Sequence, residues 1–506
     1  MSEEEKSIST QPDSSATTSS YRSIFKATSL FGGVQVYQIL IGIVKQKFVA
    51  ILLGTTGMGI QGLYQSAIQM VQSFTSMGLA QSAVRDVSEA YSAGEIQRIG
   101  RTVAIVRRLV WITGLLGMTA TIIFSPLLSK TSFGDYTYII PFIILSVILL
   151  LDQICVGQKV VLQGMRRLKD LAKASAIGVT IGLIVSVPLY FFWGTNGIVP
   201  ALIVTSLTAL LLSWYYSGRV KIERVKVTTR EAIKGGGVML KLGIAMSINA
   251  ILGTGLAFVL RAFIRHYGGI EYVGLFTAGF AIMNTYVGMV FNAMSTDYYP
   301  RLAAVNNENE QCGVVINQQL EIAILLLAPI IISCIIFMPF IIRLIYSDKF
   351  LPANDYISWA VFGLLFKAVS WGIAYVFLAK AESKLFVINE TITKLYSIGL
   401  ELLGYYLFGL TGLGVAFLLC HLIYTIQVFI IAQKRYGFSF TNNFLKLFII
   451  QFLFVSVCFV LVHLWISKLV YIPLICLFIA CSFYSLKELN HRMDFVKLIN
   501  SKIKAR

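Results

Sequence analysis

Charge is scarce in this chain. Only 13% of its 506 residues are charged, against a hydrophobic share of 57% and a mean hydropathy of +0.77. Soluble globular domains carry about a quarter charged residues, so that class is excluded. Also missing is any interval long enough for a folded soluble domain: apolar runs of about 20 residues recur from Leu30 almost to Leu486. An ordinary membrane enzyme with an extramembrane catalytic domain is thereby disfavoured. The four histidines (His266, His421, His463 and His491) show no metal-ligand spacing. The seven cysteines contain no CxxC pair, and six of them (Cys155, Cys334, Cys420, Cys458, Cys476 and Cys481) sit in apolar segments as small hydrophobes. No phosphate-binding Walker A loop occurs, so ATP is not a direct driver. Acidic residues are few, 24 against 42 basic, and the net charge is +18. The bases are dispersed in short loops between apolar spans rather than gathered on one soluble face, which argues against nucleic acid and for membrane orientation.

What remains is an all-α polytopic membrane protein. About fourteen spans are expected, centred near residues 40, 70, 113, 148, 183, 207, 251, 283, 331, 366, 399, 422, 454 and 478. An even number puts both termini on one side. The loops on that side hold Arg85, Arg98 and Arg101; Lys159, Arg166, Arg167, Lys169 and Lys173; seven bases from Arg219 to Lys241; Lys380 and Lys384; and Lys434 and Arg435. Opposite loops offer little beyond Lys130, Lys349 and Lys468, so the positive-inside rule places both termini in the cytoplasm. Residues 1–20, acidic and then Ser/Thr-rich with no apolar core, read as a disordered cytoplasmic tail and not a signal peptide. Residues 487–506 are basic and weakly amphipathic, suited to the inner membrane surface or to a solvated tail.

The chain also repeats itself. Shifted by 215, "LLLDQICVGQKVV" (Leu149 to Val161) falls without a gap on "LLFKAVSWGIAYV" (Leu364 to Val376), and the turn "GTNG" at Gly194 to Gly197 falls on "GLTG" at Gly409 to Gly412. The same offset pairs Gly157 with Gly372, and an offset of 214 sets Lys47 to Gly54 against Arg261 to Gly268. Composition bias aligns leucines but not turns, so two parallel six-helix lobes are expected, residues 21–218 and 239–435. A basic cytoplasmic linker (219–238) joins them, and two further helices (436–486) lie outside the repeat.

Charges stand inside these spans. Lys47 and Arg261 are equivalent in the first and seventh spans, each about 10 Å below the outer end, and Asp152 and Lys367 are equivalent in the fourth and tenth. Arg265 lies one turn from Arg261. If Lys47, Arg261, Lys367 and Asp152 all faced lipid, the cost would be on the order of 10 kcal/mol, so protein or water must hold them. A pseudo-two-fold axis would turn Lys47 and Arg261 toward one central space; Lys45, about 200° away round its helix, would point elsewhere. The structural alternative is pairing with carboxylates such as Asp152 or Glu401, or snorkelling to the interface. In the second span Gln61, Gln65, Gln69, Gln72 and Ser76 share one helical face, and a shift of 212 maps Gln65 to Thr277 and Gln72 to Asn284, with Asn292 beyond. Amides in hydrocarbon need water or partners, so this stripe lines a wet cavity or acts as interhelical glue. A cationic chamber lined by amides and by aromatics such as Tyr64, Tyr286, Trp371 and Tyr375 suits an anion bearing hydroxyl-rich groups, whereas a cationic drug would require an acidic pocket.

The stretches "VKQKFVAILLGTTGMGIQGL" (Val44 to Leu63) and "IYSDKFLPANDYISWAVFGLLFKAVSWGIAYVFLAKAESKLFVINE" (Ile345 to Glu390) resemble the Wzx-type O-antigen translocases, a polysaccharide branch of the multidrug/oligosaccharidyl-lipid/polysaccharide (MOP) exporters. The resemblance spans about four fifths of the chain and implies a flippase of the bacterial inner membrane. Such a protein carries undecaprenyl-pyrophosphate-linked oligosaccharide from the cytoplasmic to the periplasmic leaflet by alternating access, without a cofactor and driven by a proton or sodium gradient. Polysaccharide polymerase and chain-length regulator are its implied partners besides membrane lipids. Lys47, Arg261 and Lys367 fall where such relatives carry basic cavity residues, with Arg265, Gln65, Gln69, Gln72 and Asn284 as further substrate-binding candidates. Asp152 is the candidate for ion coupling. Arg85 and Arg301, at the inner ends of the second and eighth spans, either guide the headgroup or simply obey the positive-inside rule. Fourteen spans rather than twelve bring lipid II flippases in as a rival, with drug/cation antiport as a third reading. A polymerase or ligase of the same pathway would need a large periplasmic loop, and the longest outer loop here is about a dozen residues.

Overall fold

The computed structural model describes residues 14–493 apart from 224 and 465–467. The expected tails over 1–13 and 494–506 lie outside the described residues. Residues 14–20, read from sequence as part of a disordered tail, open the first helix instead. Every regular element is helical among the described residues.

Among the described residues, ten helices are long and apolar enough to cross a membrane. Three of them, spanning 43, 51 and 54 residues, would reach about 65 to 80 Å against a hydrocarbon core of about 30 Å. Each is interrupted by a glycine, at Gly54, Gly194 and Gly409, and therefore makes two crossings. The fourteenth crossing runs over 270–304, where a π turn, Ile282–Val287, joins Ile270–Ala281 to Gly288–Ala304. We label the crossings α1 (14–53), α2 (55–75), α3 (Ile96–Phe133), α4 (Ile139–Gly164), α5 (Leu168–Trp193), α6 (Ile198–Gly218), α7 (Gly237–Gly268), α8 (270–304), α9 (Asn309–Ile345), α10 (Ala353–Ala379), α11 (383–408), α12 (410–436), α13 (Asn442–Leu464) and α14 (Tyr471–Met493). Beyond α2 the chain kinks at Met77 and Gly78 and continues as Leu79–Ser92.

The repeat is written in the backbone. Gly194 (φ 54°, ψ −133°) and Gly409 (φ 60°, ψ −136°), 215 residues apart, take the same conformation between α5 and α6 and between α11 and α12. Gly54 and Gly269 both have positive φ where α1 meets α2 and α7 meets α8. Arg166 and Ala381 form a third pair at the same offset, with φ of 55° and 56°. Non-glycine residues rarely adopt such values, so two of them at equivalent loops mark one inherited turn.

The two six-helix lobes meet backbone to backbone. Near the Gly54 end, a Cβ added at Gly59 would lie 2.0 Å from the Ile270 carbonyl, and one at Gly274 2.0 Å from that of Thr55. At the other end, a Cβ at Gly78 would lie 2.1 Å from the Gly243 carbonyl. Helices α13 and α14 cover the outside of the second lobe. Phe362 and Phe366 of α10 pack on Phe448, Phe452 and Phe459 of α13, and Arg492 of α14 pairs with Glu321 of α9 at 2.8 Å. This cover explains why α9 and α10 are the most buried crossings.

At Gly194 and Gly409 there is open space for a side chain, so substitution is penalised by the backbone alone. Gly194→Ala and Gly409→Ala are each expected to destabilise by about 1–3 kcal/mol, read as a lowered melting temperature of the purified protein in detergent.

Candidate functional site

Two of the membrane-embedded bases share a cavity inside the second lobe. This space of about 220 Å³ is lined by Arg261 of α7, Asn284 in the π turn of α8, Lys367 of α10, Lys394, Ser397 and Glu401 of α11, and Phe417 of α12. Ring faces hold the two bases. The Arg261 guanidinium lies 5.6 and 5.3 Å from the ring centres of Phe276 and Phe280, and Lys367 Nζ lies 5.5 and 5.6 Å from those of Phe291 and Phe417. A desolvated cation–π contact is worth about 2 kcal/mol. Arg261 Nη1 donates to the Ala257 carbonyl at 3.1 Å, while its Nε is buried without a hydrogen-bond partner among the described residues. Neither Arg261 nor Lys367 forms an ion pair among the described residues. Lys394 Nζ donates to the Asn249 carbonyl of α7 at 2.8 Å. Three bases and one carboxylate therefore line the space, a formal excess of two positive charges. Such a site can take an anion, which would fill the donors that ring faces leave open.

Lys394 was missed in the sequence and Glu401 was named there only as a structural counter-charge, yet a signal was there. Glu390, Lys394, Ser397 and Glu401 are spaced by four, three and four, one helical face with the same spacing logic as the glutamine stripe of α2.

That stripe lines a different cavity. Between the lobes, beside the Gly78 contact, a space of about 310 Å³ is bordered by Gln69, Gln72, Ser73 and Ser76 of α2, by Gln81 and Gln153, and by Ser247 and Thr254 of α7. Its lining carries amides and hydroxyls and no formal charge. Ser73 Oγ and Thr254 Oγ1, 2.8 Å apart, hydrogen-bond across the lobe boundary. Gln65 is half-buried farther along α2 and lines neither space, and Gln61 Oε1 is buried without a hydrogen-bond partner.

Other expected site residues lie elsewhere. Lys47 does not share a chamber with Arg261: its Nζ donates to the carbonyls of Arg343 at 2.8 Å and Tyr346 at 2.6 Å, at the end of α9. The last carbonyls of a helix lack intrahelical donors and carry the negative end of its dipole, so an ammonium reaching across from α1 is satisfied there. Arg265 makes a packing contact in the opposite sense, from α7 of the second lobe to the end of α3 in the first. It lies against Gly134, the residue that ends α3, where an added Cβ would meet its guanidinium at 1.9 Å. One central chamber holding Lys47, Arg261 and Lys367 is thus replaced by a pair of interlobe clasps and a cavity within one lobe. Asp152 lines neither cavity and sits by Ser206 of α6 within the first lobe. Arg85 is exposed on Leu79–Ser92, and Arg301 is engaged by Asp297 at 2.8 Å and Gln319 at 3.0 Å. Tyr64 packs among Phe133, Tyr138 and Phe142 rather than in a cavity. Trp371 and Tyr375 line a separate space in the second lobe; the side chain of Tyr286 is outside the described residues.

Comparison with known proteins places this geometry. A family described as polysaccharide biosynthesis protein matches residues 48–355, reaching from α1 into α10. No curated protein matches the chain by sequence. Among solved structures, lipid II flippase MurJ in an inward closed conformation is similar with a TM-score of 0.70 and 15% identity, over 92% of this chain and 99% of that one. An inward-facing multidrug resistance MATE transporter of the MOP superfamily gives a TM-score of 0.65 and 15% identity, over 79% and 94%. A MOP superfamily transporter from Pyrococcus furiosus, described as having a binding pocket of reverse polarity, gives 0.55 and 14%, over 81% and 96%. These likenesses define the fold.

Replacing Lys47 by Met leaves two helix-end carbonyls without their charged donor. The expected cost is about 2 kcal/mol, measured as a drop in thermal stability that Lys47→Arg largely restores.

Proposed function

The chain belongs to the polysaccharide biosynthesis protein family and has the fold of MOP-superfamily translocases, and from that premise we propose that it flips undecaprenyl-pyrophosphate-linked oligosaccharide across a bacterial inner membrane. The observation that carries this reading is the cavity where Arg261, Lys367 and Lys394 outnumber Glu401. A pyrophosphate supplies the anionic oxygens that guanidinium and ammonium groups recognise. The uncharged amide and hydroxyl lining between the lobes offers partners for sugar hydroxyls, while the prenyl tail stays in lipid. With both termini in the cytoplasm, as the distribution of loop bases favours, transport runs from the cytoplasmic to the periplasmic leaflet. An ion gradient is the energy source in this reading, each charge moved across 100 mV being worth about 2.3 kcal/mol. An O-antigen-type repeat unit is the proposed cargo, delivered to a polymerase and a chain-length regulator.

One observation favours a second reading. Similarity to lipid II flippase MurJ extends over 92% of the chain and so takes in more than twelve helices, which keeps a peptidoglycan precursor as the rival cargo. Cation antiport is disfavoured by the positive excess of the cavity.

Arg261→Ala and Lys367→Ala, at normal protein levels, are each expected to slow flipping of the lipid-linked oligosaccharide about 10-fold or more, the loss of one charge-assisted contact. Wild-type rates in both would end the site assignment. Lipids extracted from a deletion strain decide the cargo: accumulation of an undecaprenyl-linked repeat unit supports the O-antigen-type reading, and accumulation of lipid II supports its rival.

A further inference from the structure

A third cavity, of about 270 Å³, lies among α10, α11 and α12, and Lys367 lines both it and the anion cavity. Its walls carry Glu390 of α11 and His421 and Tyr424 of α12, facing Ser370, Trp371 and Tyr375 of α10. Tyr424 Oη donates to Glu390 Oε1 at 2.6 Å and accepts from Asn389 Nδ2 at 3.2 Å. Asn389 Oδ1 in turn accepts from Gln427 Nε2 at 2.6 Å, so the phenol that holds the carboxylate is itself fixed. His421 Nδ1 is buried without a hydrogen-bond partner among the described residues. Its ring lies 4.4 Å from that of Phe417, the same ring that Lys367 covers. The remaining titratable neighbours of Glu390 are Lys394 one turn along α11, Tyr396 and Cys420.

The transport reading gives Glu390 and His421 no task. A carboxylate and an imidazole set among membrane crossings are costly to keep there, and a lysine that lines two cavities stands near the charge in each. When Glu390 is ionised, its charge draws on Lys394 one turn along and on Lys367, which lines the same cavity. When Glu390 takes a proton from water, that pull ends and Lys367 answers an anion on its other side.

We propose that Glu390, held by Tyr424 and flanked by His421, is a proton-binding site coupled through Lys367 to the anion cavity. Proton and anion then bind cooperatively, and by linkage each strengthens the other by the same factor. This moves ion coupling from Asp152 in the first lobe to the second lobe, and it rests on the pyrophosphate reading of the anion cavity.

Calorimetry with inorganic pyrophosphate, run on purified protein in two buffers of different ionisation enthalpy, counts the protons taken up on binding. The wild type is expected to take up a fraction approaching one proton. Glu390→Gln, a permanent stand-in for the protonated acid, is expected to take up fewer protons by that fraction, the remainder being the proton change of pyrophosphate itself, with an affinity within about threefold of the wild type at acid pH. Glu390→Asp should restore the difference. Uptake by Glu390→Gln equal to that of the wild type overturns the proposal. Absence of pyrophosphate binding in the wild type refutes the cargo reading instead. In that event the ligand-free pH titration of Trp371 fluorescence, taken as wild type minus Trp371→Phe, decides the proton site: a transition abolished by Glu390→Gln supports it, and an unchanged transition overturns it.

Discussion

The cost of leaving an ammonium or guanidinium in hydrocarbon governs this bundle. The embedded bases named as site candidates are met by three devices. Lys47 is held by the carbonyls that end α9, Arg265 packs on the residue that ends α3, and Arg261 and Lys367 lie over phenylalanine rings. The first two devices join the lobes. The third leaves the charge available, because a ring face attracts a cation without using its hydrogen-bond donors. That difference separates structural bases from the bases able to take a ligand.

The lobes are related by the repeat, but their interiors are not. The same left-handed turns recur at Gly194 and Gly409 and at Arg166 and Ala381, so the scaffolds correspond. Yet the position of Lys367 in the second lobe is held by Asp152 in the first, and the basic cavity lies wholly on residues of the second. The first lobe contributes amides and hydroxyls at the boundary. Duplication supplied two frames, and substitution within them left the bases in one lobe and neutral hydrogen-bonding groups at the boundary. Because backbones touch at Gly59, Gly274, Gly78 and Gly243, relative motion of the lobes at either end must break contacts that only glycine permits.

Legibility in the sequence followed the physics. Fourteen crossings, the two-lobe repeat and the presence of sequestered charge all come from hydropathy and spacing, which are local and periodic. Of the glutamine stripe, Gln69, Gln72 and Ser76 border one polar space, whereas Gln61 and Gln65 do not, since 3.6-residue periodicity fixes a helical face but not what each turn of it meets. The shared cavity of Arg261 and Lys367 was half legible: both were known to need a polar neighbour, and neither spacing nor offset named the other as part of it. Glu401 was legible only as a counter-charge, and Lys394 could have been found from its regular spacing with it on α11, but their face was masked by surrounding apolar residues.

By itself the sequence determined that this chain crosses a membrane many times, that it is a doubled structure, and that its buried bases need something other than lipid. Only the tertiary structure decided what each base meets. Lys47 and Arg261 are equivalent in the repeat, but a repeat relates helices within their own lobes and says nothing of how one lobe's helix ends meet the other's side chains. The packing of α1 against the end of α9 removed Lys47 from the cavity, and the packing of α7, α10 and α11 put Arg261, Lys367 and Lys394 into it.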